Sequence, residues 1–339
     1  MRRKISNFID LLETYFSEYL PYSAGLSENT IKSYKYAFRL LMQFLFEAKN
    51  ITTINITFAD LGGDTINEFM LWLENERNCS IATRNLRLSA LSSFADYAQN
   101  RSFEISTTFM KSVKAVPIKK DCVKPRTIFT QEEATLLLNL PNRDTRTGLR
   151  DKVLLNLMYA SGARAQEICD LCVRNVQVQN DNVRLTISGK GNKTRRILIA
   201  APCGRLLCKY IEYREIAQLP DAHIFSSLTH EHMTVSCIEE IFRKYIRLAR
   251  ERHPNLFMEK NYTPHTMRHT TATHMLEAGV PMMAIKNFLG HSSLKTTERY
   301  AELSQGTVNK HIADWNRKWF SDTELSERKS SRLPDFLNL

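Results

Sequence analysis

The sequence predicts a mainly α-helical protein with one small antiparallel β-sheet. Apolar residues recur at helical spacing through about the first 115 residues and again after Pro202. Between Val176 and Ala200 they alternate with other residues, which is typical of half-buried strands. The chain has 339 residues, and at roughly 150 residues per domain this length predicts two domains.

Five helices are predicted in the first domain. Ser27, Asp64 and Ser80 are suitable caps for three of them, because a side-chain oxygen can accept an N–H that is unpaired at a helix start. The first helix should end near Pro21, since proline supplies no N–H. The predicted helices are 7–19, one opened by Ser27, one by Asp64, one by Ser80, and 107–113.

A basic stretch without periodicity predicts the boundary between the domains. Residues 117–127 contain two prolines and four cations, a composition typical of a linker. We therefore expect a helical domain over 1–116, a linker over 117–127, a second domain over 128–322 and a polar tail over 323–339.

The second domain opens with a capping box, Thr130 to Glu133. Turn residues at 180–182 and 189–192 divide the alternating region into three strands. Thr263 followed by Pro264 is a further start signal, a cap and then proline at the first helical position. The predicted helices here are 130–139, 146–160, 203–217, 234–252, 264–278, 281–289, 293–303 and 307–319.

The charge balance points to a polyanionic partner. The net charge is +11 and the pI about 9.3, and residues after 120 carry 32 Lys and Arg against 24 Asp and Glu. Basic surfaces bind phosphates by displacing counterions. No apolar run reaches the ~18 residues of a membrane span, and Asp10 and Glu13 interrupt any signal-peptide core. We expect a cytoplasmic protein with no membrane partner.

The cysteines predict a reducing compartment. There are seven, an odd and scattered set. Cys169 and Cys172 form a C-x-x-C in a stretch expected to be helical, but no second pair stands at zinc-site spacing. Packing is therefore favoured over a metal site, and no metal is predicted.

Two of the predicted helix starts carry residues suited to DNA. Hydroxyls and cations at a helix N-terminus bind phosphate, and a helix fits the major groove. A solvated helix face is the alternative interpretation of the same residues. The candidates are Thr30, Lys32 and Lys35 in the second helix and Thr83, Arg84 and Arg87 in the fourth.

Five residues in the second domain could break a phosphodiester without metal. That reaction needs a nucleophile, a cationic clamp, a proton donor and a group that accepts the nucleophile's proton. Arg164 and Arg268 suit the clamp, and Lys190 lies in a glycine turn from which its amine can reach a leaving oxygen. His265 shares a helix face with Arg268, and Tyr300 is the candidate nucleophile. Each residue alone has an ordinary explanation, but the ordered set indicates a DNA-cleaving site.

Five motifs in this order resemble the tyrosine recombinase, or phage integrase, family, and the resemblance covers nearly the whole chain. The one departure is Ala163, where a bulkier residue is commoner. The motifs are 161–168 for the first arginine box, 187–195 for the lysine hairpin, 265–269 for the His-x-x-Arg box, 289–293 for the second histidine box and 296–300 for the nucleophile segment.

The resemblance implies roles for the basic residues. Arg164 and Arg268 would bind the scissile phosphate, and Lys190 would protonate the departing 5′ oxygen. His265 would take or orient the tyrosine proton, and His291 would hydrogen-bond the phosphate. Two further hairpin residues, Lys193 and Arg195, are expected to contact DNA.

The resemblance also implies a covalent intermediate. Glu167 would brace the site from behind, and Tyr300 would become joined to a DNA 3′ phosphate. Religation to a partner strand would exchange strands through a Holliday junction. No metal, ATP or other cofactor is implied.

The implied architecture is a helical SAM-like core-binding domain plus a mixed α/β catalytic domain, together clamping double-stranded DNA at specific recombination sites. The implied assembly is a homotetramer on two sites, with a second recombinase or accessory proteins left open. The predicted helix 307–319 is a candidate for docking on a neighbouring protomer, and packing within its own subunit is the alternative. Its apolar face carries Val308, Ile312, Trp315 and Trp319.

Three alternatives stay open on sequence grounds. A type IB topoisomerase uses similar chemistry, and a DNA-binding regulator could retain a decayed site. Within the family, the long connection 253–262 and the tail favour transposition or integration of a mobile element over a Xer-like resolvase of bacterial chromosomes or plasmids. From the early start of the first helix we expect this chain to lack the additional N-terminal domain of lambda-type integrases.

Overall fold

The structure, a computed structural model, describes residues 7–121, 126–179, 182–189, 193–227 and 229–290. The chain divides into two compact units, Met1–Lys124 and Pro125–Leu339. This division falls within the stretch 117–127 expected to be a linker, while the finer domain limits stay predictions. The predicted fold class, mainly α with a small antiparallel sheet, is confirmed.

The described part of the first unit is helical, and each of the five predicted helices is present. The last of them is longer than predicted, because it starts at Phe103 rather than near Thr107. The helices are α1 (Asn7–Thr14), α2 (Glu28–Lys49), α3 (Thr65–Asn75), α4 (Ile81–Arg101) and α5 (Phe103–Ala115).

The first helical stretch ends at Ser23, close to Pro21 as predicted, but its second half is not α-helical. The chain continues from α1 as a π-helical segment, Tyr15–Ser23, with Pro21 inside it. Proline has no backbone N–H to donate, so one helical hydrogen bond is missing at Pro21. The segment ends where the Ala24 N–H donates to the Tyr19 carbonyl, at 2.8 Å.

Helices α2 and α4 pack side by side and run in the same direction. Near their starts, Arg87 of α4 donates to the Ser33 carbonyl of α2 at 3.0 Å. Further along, the rings of Phe38 and Phe94 meet edge to face with centroids 5.2 Å apart. Their N-termini therefore lie at the same end of the unit.

The second unit contains the sheet and the remaining described helices. Its three strands are antiparallel in the order β1 (Val176–Gln179), β2 (Asn182–Ser188) and β3 (Thr194–Ile199), as predicted. The helices are α6 (Gln131–Asn139), α7 (Arg146–Ser161), α8 (Ala165–Cys169), α9 (Ala201–Tyr213), α10 (Val235–Arg252), α11 (Pro264–Glu277) and α12 (Met282–Leu289). The predicted helices 293–303 and 307–319 lie outside the described residues.

The core of the second unit holds α7 and α11 together at its centre. Thr271 of α11 donates to the Tyr159 carbonyl of α7 at 2.9 Å. His274 lies between Tyr159 and Phe129, with its ring nitrogens 2.9 Å from the tyrosine oxygen and 3.1 Å from the Phe129 carbonyl. These contacts hold α11, which carries Arg268, against α7, which ends just before the turn that carries Arg164.

The cysteine pair is buried rather than arranged as a metal centre. Cys169 ends α8, and Cys172 lies beyond the helix in an isolated bridge with His223. Burial raises the pKa of the Cys169 thiol to about 12. Across the described ranges, no group of three or more His, Cys, Asp or Glu side chains is placed to hold a metal ion. None of the helices in those ranges is long and apolar enough to cross a membrane.

Candidate active site

Two arginines from separate parts of the second unit meet at one carboxylate. Glu167 of α8 is buried, with 5% of its surface exposed. One of its oxygens accepts the Arg164 backbone N–H at 2.9 Å, and the other accepts the Arg164 guanidinium at 2.7 Å. Arg164 immediately precedes the first residue of α8. The Glu167 carboxylate therefore accepts a backbone N–H that has no partner within the helix, and it also orients the Arg164 side chain.

A second arginine approaches Glu167 from the sheet. Arg195 on β3 donates to both carboxylate oxygens, at 3.1 and 2.8 Å. Burial alone would raise the pKa of Glu167, but the hydrogen bonds from Arg195 and Arg164 and the charge of Arg195 outweigh it and lower that pKa. Glu167 therefore stays ionised between two guanidinium groups.

Arg268 joins α11 to the turn that carries Arg164. It is 3% exposed, and its guanidinium donates to the Gly162 carbonyl at 2.7 Å and the Leu289 carbonyl at 2.6 Å. Gly162 adopts a left-handed conformation, φ +56°, and a Cβ there would lie 2.6 Å from the Leu289 side chain. The close approach explains why a glycine stands two residues before Arg164.

His265 lies in the first turn of α11, one helical turn before Arg268. Loss of surrounding water lowers its pKa, and the charges of Arg268, Arg164 and Arg126 lower it further. The imidazole therefore stays neutral at neutral pH, the form that can accept a proton. The charge of Glu239 raises the pKa of His265 but does not reverse the shift.

The hairpin between β2 and β3 packs against the first arginine box. The Gly189 N–H donates to the Lys193 carbonyl at 2.8 Å and so pairs the two ends of the turn. A Cβ on Gly189 would lie 3.0 Å from a Glu167 oxygen and 3.7 Å from an Arg164 guanidinium nitrogen. Gly189 thus lies directly beside the two residues of that box.

The structure brings together part of the predicted catalytic set. Arg164, Glu167, His265 and Arg268 belong to one cluster. Three predicted catalytic residues, Lys190, His291 and Tyr300, lie outside the described residues. Their roles stay predictions.

Two of the expected DNA contacts require correction, because their guanidinium groups are buried. Arg195 is 9% exposed, and its guanidinium donates to Glu167 and, at 2.9 Å, to the Phe288 carbonyl. Arg84 is 2% exposed and donates to the Pro117 carbonyl at 2.7 Å, with Glu74 also within 3.3 Å. Both arginines hold the protein together and do not lie on its surface.

The other expected DNA contacts remain accessible to different degrees. Lys32, Lys35 and Lys193 are exposed, while Thr30, Thr83 and Arg87 are partly buried. Both predicted helix starts are capped alike: Ser27 accepts the Thr30 N–H at 3.4 Å, and Ser80 accepts the Thr83 N–H at 3.3 Å. Asp64, by contrast, makes no side-chain cap bond.

Sequence reasoning missed one cation at the site. The linear pattern places Arg126 only among the linker cations, yet its charge acts on His265 and its guanidinium lies 3.3 Å from a ring nitrogen of His269. The sequence contained a signal, since His269 is part of the His-x-x-Arg segment. Nothing in the linear pattern linked His269 to Arg126, which lies 143 residues upstream.

Comparisons with known proteins show the family to which the chain belongs. Residues 127–306 match the model of the phage integrase family. Residues 12–104 match the model of the phage integrase N-terminal SAM-like domain. The integrase/recombinase y4rC of Sinorhizobium fredii is 31% identical, over 99% of each chain. The tyrosine recombinase XerC of Chlamydia caviae is 32% identical, over 74% of this chain and 76% of the relative.

Solved structures show the same fold. The XerH site-specific recombinase, bound to palindromic difH substrate in a post-cleavage complex, has a TM-score of 0.67 at 19% identity, covering 84% of this chain and 80% of that one. The Tn1549 transposon integrase, in complex with transposon right end DNA, has a TM-score of 0.66 at 17% identity, covering 91% and 98%. The chain therefore belongs to the phage integrase family of tyrosine recombinases, enzymes that cut and rejoin DNA.

Proposed function

We propose that this chain is a site-specific recombinase that cuts and rejoins double-stranded DNA through a 3′-phosphotyrosine at Tyr300. The observation that carries the proposal is the arrangement of Arg164, Arg268 and His265: Arg268 donates at 2.7 Å to the Gly162 carbonyl in the turn that leads to Arg164, and His265 lies one helical turn before Arg268. Burial, and then the charges of Arg268 and Arg164, lower the pKa of His265. Two fixed cations beside a neutral imidazole suit a phosphoryl transfer that creates extra negative charge and releases a phenol proton.

The proposed chemistry balances without a cofactor. The Tyr300 oxygen bonds to phosphorus while the bond from phosphorus to the 5′ oxygen breaks. His265 takes the phenol proton, and Lys190 supplies a proton to the departing oxygen. The phosphotyrosyl ester keeps the bond energy, so attack by a 5′ hydroxyl reverses the step and rejoins the strand. His291 is the proposed additional hydrogen-bond donor to the phosphate.

The start of α2 supports a role for the first unit in binding duplex DNA. Lys32 and Lys35 are exposed in its first two turns, beside the capped N-terminus of α4. Lys32 has a 3.7 Å ion pair with Glu28, which is still more exposed; such a surface pair adds little stability and leaves the ammonium group available. Partly exposed Thr30, Thr83 and Arg87 complete the proposed face.

We further propose a role in integration or transposition of a mobile element, with strand exchange through a Holliday junction in a homotetramer. The full-length similarity to an integrase/recombinase supports this role. The Xer-like alternative is supported by the similarity to XerC. Sequencing of joined products separates the two: excised circles with an empty site indicate a mobile element, whereas resolved chromosome or plasmid dimers indicate a resolvase.

Capture of covalent adducts from genomic DNA tests the proposal and finds the target sequence in the same experiment. The full-length protein is incubated with sheared DNA of its source, denatured, and precipitated with its attached fragments, which are then sequenced. We expect one or a few recurrent sites with the native protein and none with Tyr300→Phe. Equal recovery with both proteins would support a regulator with a decayed site. Relaxed supercoils with no exchanged product would favour a topoisomerase.

A further inference from the structure

The end of α12 is held by two guanidinium groups. Arg195 donates through Nε to the Phe288 carbonyl at 2.9 Å, and Arg268 donates to the Leu289 carbonyl at 2.6 Å. The last carbonyls of a helix have no partner within the helix and form the negative end of its dipole. Two cations on consecutive carbonyls therefore fix this end strongly.

Gly290, which ends α12, rests directly on Arg195. A Cβ at this position would lie 3.0 Å from the Arg195 Cδ and 3.2 Å from its Nη1. The glycine also adopts a left-handed conformation, φ +69°. The backbone thus approaches the guanidinium more closely than any other residue would allow.

Arg195 makes two kinds of side-chain contact from its place on β3. Its fork holds Glu167, its Nε holds the end of α12, and its own strand carries the hairpin that ends at Gly189. Glu167 in turn holds Arg164. One buried side chain therefore connects the phosphate-clamp arginine, the hairpin and the chain that leads out of α12.

We infer that Arg195 is a positioning residue for DNA cleavage, which sets the first arginine box, the base of the β2–β3 hairpin and the end of α12 in one fixed arrangement. This inference rests on the proposed function, because cleavage is the event that the arrangement serves. A lysine at this position would keep the charge but could not form the fork to Glu167 and reach the Phe288 carbonyl together. The chemistry should therefore suffer while DNA binding persists.

The neighbouring residue offers a matched control. Arg196 lies next to Arg195 on β3, is exposed, and pairs with Thr186 in the sheet register. Arg196→Lys changes the same residue type in the same strand, on the opposite face. It should affect neither the helix end nor the cleavage rate.

The test has one arm without DNA and one with it, both on the full-length chain. In the first, Arg195→Lys should speed amide hydrogen exchange in residues 286–290 by about tenfold relative to Arg196→Lys, as expected when a buried network is broken. In the second, a duplex recovered by adduct capture serves as substrate. Arg195→Lys should lower the single-turnover rate constant of adduct formation at least about tenfold, with the dissociation constant for the same duplex changed less than about twofold.

Each result decides the inference. A lower amplitude with an unchanged rate constant would mean a smaller folded fraction and would overturn it, as would an unchanged exchange rate or equally weakened DNA binding. If the native protein forms no adduct on any DNA, the proposed function fails. The exchange arm then still shows whether Arg195 holds the end of α12.

Discussion

Glu167 accepts hydrogen bonds from both the backbone and the guanidinium of Arg164, at 2.9 and 2.7 Å. The Glu167 carboxylate therefore pairs a backbone N–H at the start of α8 and orients the side chain of Arg164, the residue just before that helix. Arg195 shares the same carboxylate, so three charges are buried or partly buried at one point. Such clusters depend on every member being present.

Glu167→Gln should destabilise the second unit by about 3 kcal/mol, because the buried Arg195 would lose its counter-charge. Since the pKa of Glu167 is lowered in the folded state, its contribution is complete above the usual glutamate pKa. That contribution is lost as pH falls through the lowered value. Urea unfolding followed through amide protection in α7 at several pH values measures both effects.

The matched control is Glu132→Gln, at an exposed position in the first turn of α6. It should change the free energy of unfolding by less than about 0.5 kcal/mol. Equal effects of the two substitutions would show that the Glu167 cluster adds nothing particular to stability.

The pH dependence of cleavage should reflect the lowered pKa of His265. The neutral ring is already dominant at the usual histidine pKa, so the single-turnover rate should stay level there and fall only at lower pH. His265 also contributes stability above its unfolded pKa, and this is lost as pH falls through the folded value. Histidine NMR titration, assigned with His265→Gln, checks the pKa itself; a value at or above that of an unfolded peptide would contradict the account.

Lys190→Ala should slow cleavage far more than it weakens DNA binding, because the ammonium proton is needed only as the 5′ oxygen departs. A substrate with sulfur at the 5′ bridging position supplies a leaving group that needs no proton. That substrate should restore cleavage in Lys190→Ala. Absence of rescue would remove the proton-donor role from Lys190.

Lys35→Ala should lower the slope of log affinity against log salt by about 0.9, the value for one lost phosphate contact. Arg84→Lys should leave the slope unchanged and reduce only the stability of the first unit, since Arg84 is 2% exposed. Lys111→Ala, at an exposed position of α5, is the surface control. A reduced slope for Lys111→Ala as well would mean that the effect is general electrostatics rather than a defined face.

The sequence predicted the elements well where local signals agree. Ser27 and Ser80 cap α2 and α4 as expected, and Thr130 forms the expected capping box with Glu133. Strands β2 and β3 bury alternate residues as predicted, whereas β1 leaves Val178 exposed. The change from α-helix to π-helix at Tyr15 was not predicted, because no local signal in the sequence marks it.

The sequence could not distinguish arginines that face DNA from those that face the core. Arg84 and Arg195 stand beside other cations in polar stretches, so composition predicts a basic surface. Their partners, Glu74 for one and Glu167 for the other, come from other elements and are fixed only by tertiary packing. Arg164 and Arg268 could be identified because each belongs to a motif with a characteristic order and spacing of residues, the first arginine box and the His-x-x-Arg box.

Mapping the covalent attachment tests the central claim most directly. The captured adduct is digested with protease and nuclease, and the modified peptide and both DNA ends are identified by mass spectrometry and end labelling. We expect a nucleotide on the peptide that contains Tyr300, with a blocked 3′ end and a free 5′ hydroxyl on the cut strand. Attachment to any other residue, or through a 5′ phosphate, would contradict the account.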